Sequence, residues 1–256
     1  MAHSGSETII ANRYIVQNEL GKGGMGAVYR VRDRLYSKDH FVALKRVFAD
    51  GQNLIFNTKI SSNASTTSLN TALAEEFRIL ASLRHPNIIS VLDYGFDEFG
   101  RPYFTMDLMS DAKNILQADL EASPIEKVKL AIQMLQALDY LHQRGIIHRD
   151  LKPNNVLVSN GQVKVLDFGL AVKKEASQDK TITGTFAYIT PEILQMQAAT
   201  LASDLFSAGI ILYEMLTGQH PFHDQNLSVM ISHILTRPVD TSPINELEVP
   251  DAGRLV

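Results

Sequence analysis

His148-Arg149-Asp150-Leu151-Lys152-Pro153-Asn154-Asn155 is followed by the apolar run Val156-Leu157-Val158, and then, after Val163 to Leu166, by Asp167-Phe168-Gly169. Packing alone does not ask for an aspartate, a lysine, an asparagine and a second aspartate at these places. Asp150 is placed to accept or orient a hydroxyl proton, and Lys152 to steady a phosphate in motion. Asn155 and Asp167 offer the hard oxygen ligands that suit magnesium.

Working back toward the N-terminus, Gly21, Gly23 and Gly26 in Gly21-Lys22-Gly23-Gly24-Met25-Gly26 follow an extended segment, Tyr14 to Leu20. Without side chains, a glycine turn lets backbone N–H groups approach phosphate oxygens closely. An ordinary glycine hairpin and a dinucleotide fingerprint share that pattern. The fingerprint opens a helix, whereas Ala27-Val28-Tyr29-Arg30-Val31 continues as strand. Val42-Ala43-Leu44-Lys45 puts a lysine on the next apolar strand; a strand-end surface lysine is the alternative. A buried lysine needs an anion to stay charged. Glu76 in AEEFRILASLRHPNI is the candidate, preferred to Glu75 by its spacing to Leu80 and to His85-Pro86.

Between Tyr14 and Val47 short alternating runs rich in β-branched and aromatic residues predict strands and hairpins. Residues 50–71 are rich in Asn, Ser and Thr without a period, which predicts a flexible insertion. Leu73 to Leu83 has helical spacing. Ile125, Val128, Ala131, Ile132, Leu135, Leu138 and Leu141 recur three and four apart and predict a long buried helix. Leu205 to Leu216, apolar on nearly all faces and closed by Gly218 as C-cap, predicts a core helix.

Transfer of a phosphoryl group needs three phosphates held and neutralised and a hydroxyl placed in line, and these segments can serve those needs. In this order they resemble the protein-kinase family: glycine loop, V-A-L-K, helix glutamate, H-R-D-L-K-P-N-N and D-F-G. The resemblance runs from about Tyr14 to Phe222. It implies an α+β fold of two lobes, a small β-rich N-lobe (about 14–106) and a larger, mainly helical C-lobe (about 110–256), after a leader of residues 1–13. It places ATP between the lobes, with Lys45 paired to Glu76 and to the α- and β-phosphates. Asp150 stands at the reaction centre beside Lys152, and Asn155 and Asp167 hold Mg2+. The adenine pocket it implies is walled by Leu20, Val28, Ala43 and Leu157, with Met106 behind the base and Asp107 to Met109 as hinge. Asp-Leu-Lys-Pro with Gly184-Thr185 and Pro191-Glu192 resembles serine/threonine kinases, and so implies protein substrates with Ser or Thr hydroxyls.

By the same resemblance Arg149 pairs with a phosphate on the activation segment, for which Thr181, Thr183 and Ser177 are the candidates. Thr185 touches Asp150 and Lys152. Asp204 ties the catalytic loop to the large helix, and His148 packs beneath Phe168. His220 and His223 are expected at the surface. Thr190-Pro191-Glu192 departs mildly from the usual A-P-E. The last C-lobe helices are expected to be missing, which would leave Glu192 without its arginine. NRYIVQNELGKGGMGAVYRVRD and LDYGFDEFGRPYFTMDL are similar to bacterial members, including long chains that imply a fused C-terminal sensor or ATPase region.

The 256 residues are 45% hydrophobic, enough for a sizeable core, and carry a formal charge of −4 with scattered Lys and Arg. No basic face therefore points to nucleic acid. The absence of cysteine removes thiolate nucleophiles and sulfur-built zinc sites, and suits a cytoplasmic location. No run approaches the roughly 18 apolar residues that would cross a bilayer.

Overall fold

A computed structural model describes residues 7–23, 26–36, 39–47, 77–118, 122–167 and 187–245. They belong to two compact units. One takes in the described residues up to Arg84 together with Ile89–Ser110, and the other His85–Ile88 and the described residues from Asp111 onward.

The first unit is a six-stranded antiparallel sheet in the order β1-β2-β3-β4-β6-β5. Its strands are β1 (Ile9–Ile10), β2 (Tyr14–Gly23), β3 (Gly26–Asp33), β4 (Phe41–Val47), β5 (Val91–Phe96) and β6 (Pro102–Met106). Alternation sorts β4, which puts Val42 and Leu44 into a core with Ile10, Tyr14, Val31 and Tyr103. Ala43 and Lys45 take the other face and are buried as well. Residues 77–82 are helical, and Phe77, fully buried, stacks on Tyr94 and meets Phe104 at a tilt, with ring centroids 5.5 Å away in each case.

One feature departs from the sequence reading here, and a second adds to it. Ile9–Ile10, expected within a leader, pairs with β2 through Ile10↔Tyr14. The turn is made by Ala11 and Asn12, both at positive φ, and burial of the Ile10 side chain gives the short strand its reason. Gly26 has φ 148°, and a Cβ there would lie 2.1 Å from the Arg46 carbonyl oxygen, so packing of β3 on β4 demands glycine at this position. Residues 50–71, Gly24, Met25 and Glu76, and the stretch from Phe168 to Phe186, lie outside the described residues.

The β5–β6 turn is built on Asp97, whose side chain is fully buried. Its carboxylate accepts N–H bonds from Phe99 and Arg101 at 2.9 Å each and from the Arg101 guanidinium at 2.9 Å, with Arg46 Nε at 3.2 Å as an ion pair. Burial alone would raise the Asp97 pKa, but the backbone N–H groups and Arg101 more than offset it and hold the carboxyl below the usual range.

The second unit carries a three-stranded sheet, β7 (Lys113–Asn114), β8 (Val156–Ser159) and β9 (Gln162–Val165), in that order. Around it lie α1 (Ile115–Ala118), α2 (Pro124–His142), α3 (Pro191–Leu194), α4 (Leu201–Thr217), α5 (Leu227–Thr236) and α6 (Ser242–Asn245). Helix α2 opens with Ser123 and Glu126 in a capping box and Pro124 in the first turn. Its buried stripe is Leu130, Ala131, Met134, Ala137, Leu138 and Leu141, whereas Ile125, Ile132 and Leu135 are exposed. Ala131, Leu138 and Leu141 are buried as the spacing predicts, but apolar residues extend beyond one face of this helix, and period alone does not exclude Ile125, Ile132 and Leu135. Helix α4 ends at Gly218, φ 71°, whose N–H donates to Glu214, as expected. Leu205, however, faces outward near its start. No helix among the described residues is long and apolar enough to cross a membrane.

Because Asp97 is bonded in its charged form, its stabilising effect is complete above the ordinary carboxylate pKa and fades as pH falls through the lower folded value. Asp97→Asn is expected to cost about 2 kcal/mol, the scale of a lost hydrogen bond to a charged group, read as a lowered urea midpoint at pH 7. The difference from the parent chain should shrink in acid.

Candidate active site

The loop from His148 to Asn155 hangs on one buried carboxylate. Asp204, in the first turn of α4 and 1% exposed, accepts the His148 N–H at 2.8 Å through Oδ2 and the Arg149 N–H at 2.9 Å through Oδ1. His142, the last residue of α2, donates from Nε2 to the same Oδ2 at 2.7 Å. Arg149 has φ 69°, a left-handed conformation unfavourable for a side-chain-bearing residue, and it is held where two consecutive N–H groups meet one carboxylate.

His148 is buried and donates from Nε2 to the Leu166 carbonyl at 2.8 Å, while the Asp150 N–H points to its Nδ1 at 3.4 Å. Burial lowers its pKa against the opposing pull of Asp204 and Asp150, so the ring is neutral and structural. The expected position beneath Phe168 lies outside the described residues.

This frame brings the chemical groups together. Lys152 Nζ donates to Asp150 Oδ2 at 2.6 Å. Asn155 Nδ2 donates to the Asp150 carbonyl at 2.7 Å and to Asp150 Oδ2 at 3.3 Å, which turns its amide oxygen the other way. The Leu166 N–H donates to the Asn155 carbonyl at 2.9 Å, which fixes the chain leading into Asp167. Asp167 itself is left-handed, φ 60°. A neutral amide oxygen and a carboxylate fit magnesium, which takes oxygen ligands and few of them from protein.

Gln133 on α2 braces the other side. It accepts from Asn87 Nδ2 at 2.9 Å and from the Val163 N–H at 3.0 Å, and donates to the Gly161 carbonyl at 3.0 Å. The Val165 N–H donates to the Asn87 carbonyl at 2.8 Å. Neither Gln133 nor His142 stands out in the sequence, because a single polar residue on a helix gives no periodic signal.

In the first unit, Lys45 is 7% exposed on β4, opposite Val28 on β3 and Phe104 on β6, with Nζ 6.0 Å from the Phe104 ring centroid. The expectation of a buried rather than a surface lysine is met. Ala43 pairs with Met106, and both are buried. Val28 is half-buried beside Gly21, Leu20 is 49% exposed, Lys22 is exposed, and the Asp107 N–H donates to Ser90 at 3.2 Å just ahead of the half-buried Met109. A Cβ at Gly21 or Gly23 would meet nothing within 4 Å, so packing does not account for these glycines as it does for Gly26. Leu157 lies on β8 of the second unit, half-buried, and pairs with Asn114 and Lys164.

Glu192 accepts from the Ser203 hydroxyl of α4, a partner that is not the expected arginine. Burial raises the Glu192 pKa, but that hydroxyl and nearby donors pull it below its ordinary value. His220 is half-buried rather than a surface residue, because its ring is engaged with the chain at Ala187; His223 is exposed.

The protein kinase domain family model matches residues 14–251, and the chain belongs to that family. It is similar to the probable serine/threonine-protein kinase PknB of Lactococcus lactis, at 35% identity over 95% of this chain and 38% of that protein. It is 33% identical to the serine/threonine-protein kinase PknB of Mycobacterium leprae over 93% of this chain and 38% of that protein. For the DNA damage-responsive serine/threonine-protein kinase RqkA of Deinococcus radiodurans the identity is 34%, over 96% and 36%. The chain thus spans less than two-fifths of the length of these relatives.

Asp204→Ala leaves the buried His148 N–H and the part-buried Arg149 N–H without this acceptor. It is expected to cost about 3 kcal/mol and to speed amide exchange at His148 and Arg149 before other core amides. Unchanged exchange at those two amides would contradict the role assigned to Asp204.

Proposed function

We propose that the chain transfers the γ-phosphate of ATP to serine and threonine hydroxyls of proteins, in bacterial signalling within the cytoplasm. The observation that carries this reading is the 2.6 Å contact between Lys152 and Asp150, with Asn155 braced on the same aspartate. A carboxylate so held can take the hydroxyl proton as the oxygen attacks, while the ammonium beside it balances charge on the phosphoryl group in transit. Names carried by the bacterial relatives support the choice of Ser and Thr.

Lys45, a buried cation, is the group that holds the α- and β-phosphates, and Glu76 is its proposed partner. The backbone of Gly21 to Gly26 covers the phosphates, with Gly21 and Gly23 kept free of side chains for that approach. Ala43, Val28, Leu20, Met106 and Leu157 form the apolar surfaces for the adenine, and Asp107 to Met109 the hinge. Asn155 and Asp167 would hold Mg2+, which when bound neutralises phosphate charge. Thr185 and Pro191-Glu192 are the elements that dock the substrate peptide, and residues 187–190 run between them. Autophosphorylation falls on Thr181, Thr183 or Ser177, where Arg149 would receive the phosphate.

The test is transfer of radiolabelled γ-phosphate, with magnesium, to the chain itself and to a generic basic protein. Asp150→Asn is expected to lower kcat by about 10²–10⁴-fold, the range of a lost general base. Lys45→Met should abolish transfer while leaving the fold intact by circular dichroism. Magnesium-dependent ATP binding without any transfer by the parent chain would instead make it a nucleotide-binding scaffold. Phosphopeptide mapping that found phosphate only within residues 50–71 would refute the assigned autophosphorylation sites.

A further inference from the structure

His220 lies in the turn after α4, outside the catalytic loop, yet its ring is fixed at both nitrogens. Nε2 donates to the Ala187 carbonyl at 2.8 Å, and Nδ1 accepts the Phe222 N–H at 3.2 Å. Only the neutral ring with its proton on Nε2 makes both bonds, since a second proton on Nδ1 would face the Phe222 N–H. The ring also meets Tyr188 edge-on, centroids 5.5 Å apart. Two further ties reach the same stretch from α4: Ser207 Oγ donates to the Tyr188 carbonyl at 2.9 Å, and the Tyr188 hydroxyl donates to Glu214 at 2.6 Å. Of these three ties, the one from His220 acts at Ala187 and the other two at Tyr188.

We propose that His220 is a positioning residue for the protein substrate: by holding the Ala187 carbonyl it sets the course of residues 187–190, and a second proton at Nδ1, set against the Phe222 N–H, displaces the ring that holds them. The inference rests on the proposed function, in which this stretch runs between the elements that dock the substrate peptide. Among the described residues, Glu214 of α4 and His223 beyond the turn are the charged or titratable groups that act on the ring, with the Tyr188 hydroxyl on the segment itself. Burial lowers the ring's pKa, the Ala187 carbonyl and Glu214 oppose this, and His223 adds to it; the net direction is downward. A histidine whose folded pKa is depressed is held neutral, so its contribution is complete above the ordinary value of about 6.5 and is lost as pH falls below it. Peptide handling is therefore expected to weaken in acid, and among the described residues no contact of this ring reaches Lys45 or the glycine turn.

The experiment compares the full chain with His220→Ala and with His220→Gln, which offers a non-titrating N–H at similar reach. KM for a serine-containing peptide, KM for ATP and kcat are measured from pH 5 to pH 8, with hydrogen exchange at residues 187–190 followed in parallel. His220→Ala is expected to raise the peptide KM about fivefold at pH 7.5, the factor of one net hydrogen bond, with the ATP KM unchanged. His220→Gln should restore it and flatten the rise that the parent chain shows below about pH 6.5. Exchange across 187–190 should quicken in His220→Ala and not in His220→Gln. An unchanged peptide KM in His220→Ala, an equal rise in the ATP KM, or the parental pH profile in His220→Gln would overturn the proposal. If the parent chain transfers no phosphate at all, the kinase reading fails by itself, and unaltered exchange in His220→Ala would then overturn the positioning role as well.

Discussion

The Asp204 carboxylate takes two consecutive main-chain N–H groups, those of His148 and Arg149, and with them fixes where the loop can go next. Two adjacent amides reach one carboxylate only if the chain bends sharply, and Arg149 bends through the left-handed region to do so. An anion buried in the first turn of a long helix also sits where the helix dipole favours negative charge. His142 donates to it from the end of a second helix, so α2, α4 and the loop meet at a single group. Asp150 therefore leaves the loop in a direction set by a neighbouring helix rather than by its own side chain.

Downstream of that anchor, each polar group restrains the next. Asn155 is closed onto the Asp150 carbonyl, its own carbonyl receives Leu166, and the Leu166 carbonyl receives the buried His148 ring. The circuit closes at Asp150, whose N–H points to Nδ1 of that ring. Such a closed chain of bonds in a low-dielectric setting is stiff, because shifting one member strands another without a partner. Groups held in advance need little reorganisation when charge moves between them, which is the usual physical basis of catalysis by position.

Much of this could be read from residue types and order. Asp150, Lys152 and Asn155 had no bland explanation as a set, Gly218 closes its helix as a C-cap glycine should, and Asp204 falls where a tie to the loop was expected. Other features had no sequence signal. Helix α2 is apolar on more than one face, so spacing could not choose Leu130 and Met134 over Ile132 and Leu135. Ile9–Ile10 is too short to show alternation and becomes a strand only because β2 is there to pair with it. The partners of Glu192 and His220 are a serine hydroxyl and a backbone carbonyl, groups that carry no charge pattern and become visible only when the chain is folded.

The Asp97 turn has a bearing on how the chain can vary. A single carboxylate collects N–H groups two and four residues further on, so one inserted residue between Phe96 and Arg101 would carry at least one donor out of reach and leave a buried charge short of a partner. Surface turns ordinarily tolerate changes in length. This one does not, and the spacing from β5 to β6 is thereby set by chemistry rather than by the geometry of the sheet.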